Sequence, residues 1–144
     1  MDRLLSSSPP YALVVEGHVL VRMDAVAILE DAGFRVLDVV TGDEAMHLLD
    51  QHGREFALLF IAVGLSGQHD GFALARKAAS EHPHIGILVA SGHHTPAPGD
   101  LPDTACFIEK PFSAGVVHDH LRRILPDDRK PEALKSGSSP LRGL

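Results

Sequence analysis

Four apolar runs in this chain end on residues that could do chemistry. Leu13-Val14-Val15 delivers Glu16-Gly17-His18, and Ile85 to Ala90 delivers Ser91-Gly92. Ala105 to Ile108 leads to Lys110-Pro111-Phe112, and Ala57 to Val63 carries Ala62 near its end, followed by Gly64-Leu65-Ser66-Gly67. In an open parallel sheet, function gathers outside the carboxyl ends of the strands. A carboxylate, a hydroxyl and an ammonium brought together there would suit charged ligands. Ala62 is the discordant member: a methyl group has no lone pair, so it can neither act as a nucleophile nor coordinate a metal.

The elements that must position these groups alternate strand and helix. Ala12 to Val15 is short and continuously apolar, as a strand covered on both faces should be. Val21, Ala25, Ile28, Leu29 and Ala32 then recur at helical spacing, and Gly33 is the expected C-cap. Phe34 to Val40 is broken by Arg35 and Asp38, which suits a strand nearer a sheet edge. Thr41-Gly42-Asp43-Glu44 has the form of a capping box. Its helix places Ala45, Leu48 and Leu49 inward and stops near Gly53. Asp70, as N-cap, and Gly71 open a helix with Leu74, Ala75, Ala78 and Ala79 inward, ending before Pro83. Ser113 caps a last helix with Val117, Leu121, Ile124 and Leu125 inward. Units of this length predict parallel strands with helices on both faces and right-handed crossovers. Residues 1–10 read as a flexible lead-in, 11–125 as one domain, and 126–144 as a disordered or loosely docked tail.

Composition narrows the function classes. The chain has 144 residues, 44% of them hydrophobic, which fits one globular domain. A net charge of -6 with no basic stripe argues against nucleic acid or an anionic membrane as partner. The single cysteine, Cys106, excludes an internal disulfide and a cysteine-based zinc site, and suits a reducing, cytoplasmic setting. No apolar run approaches membrane-spanning length. The ten histidines include His93-His94 and His118-Asp119-His120. On a helix, His118 and His120 would point about 200° apart and could not share an ion, so no specific metal site is expected. His18 reads as an exposed loop residue at the pocket rim. Ser66 and Ser91 need no role as modification sites. The loop after the first strand lacks a Gly-rich phosphate cradle, and aromatics are scarce, which argues against a nucleotide- or flavin-binding module.

Leu13-Val14-Val15-Glu16, Asp70-Gly71-Phe72 and Phe107-Ile108-Glu109-Lys110-Pro111-Phe112 together resemble the receiver domain of two-component response regulators, over roughly Tyr11 to Leu125. The resemblance implies an α/β, flavodoxin-like (CheY-like) three-layer sandwich with a parallel sheet in the order 2-1-3-4-5. It also implies phosphoryl transfer from a histidine kinase to an aspartate at the end of strand three, with Mg²⁺ held by that aspartate and two acids after strand one. Carried over by position, Glu16 matches the first acid, Ser91 the hydroxyl, Lys110 the lysine and Phe107 the switch aromatic. Gly17 stands in place of the second acid and Ala62 in place of the phospho-acceptor. The Mg²⁺ site is therefore expected to be lost, with no cofactor and no enzymatic activity.

Lys110, deprived of its usual carboxylates, is expected to pair with Glu16 within about 4 Å, because an unpaired, partly buried ammonium is costly. Pro96, Pro98 and Pro102, with Gly92 and Gly99, predict that the family's fourth helix is lost or reduced to one turn. The expected function is a stand-alone receiver-like domain acting by protein–protein interaction, independent of phosphorylation. A histidine kinase, a phosphotransfer protein or another regulator would be its partner, and a homodimer is possible. The alternative is an active phosphoryl acceptor that uses a non-standard residue.

Overall fold

The computed structural model describes residues 9–62, 71–92 and 96–134. Five parallel strands, β1 (Tyr11–Val15), β2 (Arg35–Val39), β3 (Phe56–Ala62), β4 (Gly86–Ser91) and β5 (Ala105–Glu109), form one sheet in the order β2-β1-β3-β4-β5. The helices are α1 (Val19–Ala32), α2 (Gly42–His52), α3 (Gly71–Glu81) and α4 (Ala114–Ile124). One apolar layer joins α1 and α4 to one face of the sheet, through Ala25, Leu29, Phe60, Leu88, Val117 and Leu121. A second joins α2 and α3 to the other face, through Leu13, Leu49, Leu59, Leu74 and Ile87. The central strand β3 is buried along its whole length, as a strand covered on both faces must be. The edge strand β2 has Arg35, Leu37 and Asp38 exposed.

Local chemistry sets the element ends as the sequence predicts. Gly33 takes φ 109°, a left-handed C-cap, and a Cβ there would lie 2.8 Å from Pro131 Cβ. Thr41 Oγ1 accepts from Glu44 N, and Glu44 Oε1 accepts from Val40 N and Thr41 N. Those backbone donors, Val40 foremost, hold the Glu44 carboxyl below the usual range. Ser113 Oγ accepts from Val116 N at the start of α4. The expected caps at Asp70 and the loop at Ser66 lie outside the described residues, as do His93 and His94.

Residues 96–104 contain no helix. They form a turn in which Ala97 N donates to Asp100 Oδ2 and Gly99 takes φ 89°. Arg76 Nη1 of α3 donates to Asp100 O, and Leu101 packs into the α2–α3 layer. The prolines thus exchange a helix for a turn that plugs the sheet with one leucine.

Both ends of the domain need correction. Pro9 and Pro10, assigned to a flexible lead-in, are held: Arg35 N donates to Pro10 O and Arg35 Nε to Pro9 O. Residues 126–134, assigned to a disordered or loosely docked tail, are packed. Leu134 is buried in the α1–α4 layer, Pro131 seats on Gly33, and Arg129 Nη2 donates to Phe56 O. Two short 3₁₀ turns, Asp127–Arg129 and Glu132–Leu134, let this polar strap bury its one leucine and satisfy its backbone. The rest of the tail and residues 1–8 lie outside the described residues.

Candidate functional site

The sheet register aligns the predicted site residues. Val15 pairs with Ile61, Ala62 with Ala90, and Ser91 with Glu109. Glu16, Ala62, Ser91 and Lys110 therefore stand at the carboxyl ends of four neighbouring strands. Ala62 and Ser91 are buried. Lys110 N donates to Ser91 O, which extends the β4–β5 ladder by one step and fixes the start of the lysine. Its aliphatic stem lies over Gly92, where a Cβ would be 3.6 Å from Lys110 Cβ.

Lys110 Nζ lies 2.9 Å from Glu16 Oε1, so the expected ion pair is present. The Glu16 side chain is 6% exposed and that of Lys110 23%. Glu16 Oε2 accepts from His18 N at 3.0 Å, while Oε1 makes no aligned hydrogen bond and depends on the ammonium contact. Both carboxylate oxygens are thus engaged. His18 itself is exposed and occupies the N-cap position of α1 without a side-chain capping bond. At Gly17 a Cβ would come no closer than 3.8 Å to Val40 O, so nothing in the packing requires glycine there.

Arg22 belongs to the site, although no motif or spacing along the chain marks it. Its Nη1 donates to Glu16 O at 3.0 Å and its Nε bonds Asp38 Oδ2 at 3.1 Å, tying α1, β2 and the β1–α1 loop together. Only the pairing of β1 with β2 brings Asp38 within its reach. Beside this anchor, Val19, Leu20 and Met23 on α1 are 51%, 68% and 61% exposed. On the other side, Phe107 is half-buried and, with Ile108, Phe112, Val116 and His120, lines a groove between β5 and α4. Phe112 meets Phe60 edge-to-face at 5.3 Å. His118 and His120 do not converge: each bonds a different backbone carbonyl, Ile28 O and Val116 O.

No family model matches the chain. It is 33% identical over 116 residues to the sensor kinase CckA of Brucella abortus (strain 2308), a match that takes in 78% of this chain and 12% of that much longer protein. Among solved structures, it is 30% identical to the receiver domain of NtrX from Brucella abortus, covering 79% of this chain and 97% of that one with a TM-score of 0.69. The receiver domain of the hybrid histidine kinase CckA is 25% identical and covers 81% of this chain and 99% of that one, with a TM-score of 0.67. The strand order, the residues ending β1, β4 and β5, and the near-complete overlap with a receiver at this identity lead to one conclusion: the chain belongs to the receiver-domain family of two-component signalling proteins.

Proposed function

We propose that this receiver domain works by binding another signalling protein and does not carry a phosphoryl group at the end of β3. The observation that carries the reading is the Lys110–Glu16 pair beside a buried Ala62. Aspartyl phosphate needs a carboxylate nucleophile, and position 62 offers a methyl group.

The residues also do not fit Mg²⁺. That ion takes near-octahedral oxygen ligands. Here Gly17 and Ala62 supply no side-chain oxygen, and Glu16 Oε1 is committed to an ammonium, so a cation would have to expel Lys110. The pair places a positive charge against the carboxylate without any phosphate, which favours a single constitutive arrangement of the β4 and β5 ends. The apolar start of α1 supports a protein partner, since Val19, Leu20 and Met23 form an exposed patch next to the site. The likeness to a sensor kinase points to kinases and their phosphotransfer proteins as the partner class. Cytoplasmic placement fits that role, and no helix among the described residues is long and apolar enough to cross a membrane.

Incubation with a small-molecule phosphodonor and Mg²⁺, followed by intact-mass measurement, tests the reading. The expected spectrum is unchanged. An added phosphoryl mass would sink the proposal and favour an acceptor of a non-standard kind, which peptide mapping would then locate.

A further inference from the structure

We propose that the amino-terminal edge of the sheet, opposite the Glu16–Lys110 pair, carries a transition-metal site of the Zn²⁺ class ligated by Asp50, Glu81 and His82. Asp50 lies in the last turn of α2, Glu81 is the last residue of α3, and His82 follows it. One ligand atom from each lies within 4.8 Å of the others. Helix carboxyl ends carry partial negative charge. Two of them converge here with two carboxylates added, which is the wrong sign for the dipoles and the right one for a cation. Lys77 offsets Glu81 at 3.1 Å. Among the described residues, Asp50 has no ion pair.

The imidazole gives the site its selectivity. The His82 ring packs against Gly53, where a Cβ would stand 2.4 Å from ring Cε1 and 2.5 Å from Nδ1. Its Nε2 is buried with no hydrogen-bond partner among the described residues. The neighbouring rings are engaged: His84 Nε2 with Gly53 O at 2.9 Å and His52 Nδ1 with Glu55 Oε2 at 3.3 Å. All three histidines line an open cavity of about 500 Å³, ample for an ion and its remaining water.

Zn²⁺ bonds of about 2.0–2.2 Å in a tetrahedron set ligand atoms about 3.4 Å apart. The exposed Asp50 and Glu81 side chains need only rotate inward by about an ångström toward the imidazole. One nitrogen and two oxygens suit Zn²⁺, whereas Mg²⁺ and Ca²⁺ seek all-oxygen sites.

Calorimetric titration of the full chain with ZnCl₂ in a non-chelating buffer, paired with NMR of the histidine rings, tests this. The expected result is one saturable equivalent, a shift of the His82 ring signals, and no heat with MgCl₂. Asp50→Asn and Glu81→Gln alter exposed side chains that the fold does not need, and each is expected to weaken Zn²⁺ binding about tenfold or more. The absence of saturable binding, an affinity unchanged in both variants, or shifts confined to other histidines would each overturn the proposal.

Discussion

Breaking the Glu16–Lys110 pair from its two ends should not cost the same. Coulomb's law at the observed 2.9 Å, with an effective dielectric constant of about 20, gives about 6 kcal/mol of gross attraction, from which desolvation of both ions must be subtracted. Lys110→Met leaves the carboxylate of Glu16, 6% exposed, with one backbone donor and no counter-ion. We expect a loss of about 3–4 kcal/mol, within the range for stranding one member of a buried pair. Glu16→Gln keeps an acceptor for His18 N and strands an ammonium that is 23% exposed and can turn toward water, so about 2 kcal/mol is expected. The double variant should be less damaged than the sum of the singles, with a coupling of about 2–3 kcal/mol. Urea unfolding followed by circular dichroism at neutral pH measures all four proteins. A coupling below about 0.5 kcal/mol, or a Glu16→Gln loss exceeding that of Lys110→Met, would refute the argument that burial of the carboxylate governs the site.

Four further outcomes are expected. Gly33→Ala should cost about 1–2 kcal/mol in urea unfolding, since φ 109° and the approach of Pro131 both oppose a Cβ, while Gly17→Ala should stay within about 0.5 kcal/mol. Leu134→Ala should cost about 2–3 kcal/mol, and no loss would mean that the strap is not docked in solution. The Glu44 carboxyl is held below its ordinary range, so its contribution is present above the unfolded value and is lost as pH falls through the folded one. Glu44→Gln should therefore flatten the acid limb of the stability curve below about pH 4.5, and an unchanged limb contradicts the assignment. Gly17→Asp combined with Ala62→Asp restores two carboxylates, and this variant alone should gain Mg²⁺-dependent phosphoryl mass; failure would show that more than these two positions has changed.

Much of the fold was legible because its signals are local. Apolar continuity marked β1, β3 and β4, the Thr41–Glu44 box and Gly33 marked helix ends, and three prolines announced the missing helix. The pairing of Lys110 with Glu16 was also legible, because the resemblance to receiver domains places both at one site and leaves the ammonium no other carboxylate there. The strap reads as a tail because its composition is polar, and Leu134 looks isolated until the fold places Phe34 in the same apolar layer. Arg22 and the Asp50–Glu81–His82 cluster were hidden for a related reason. Each depends on elements distant in sequence meeting at one edge, and no spacing along the chain encodes such a meeting.

Arg22 grips the backbone of Glu16 from within the first turns of α1, between Leu20 and Met23. A protein seated on that turn therefore handles the same short stretch of chain that steers the carboxylate toward Lys110. By thermodynamic reciprocity, whatever strengthens the grip of such a visitor when the lysine is held must in turn tighten the hold on the lysine when the visitor arrives. The helix surface and the interior charge contact thus both bear on the one residue, Glu16.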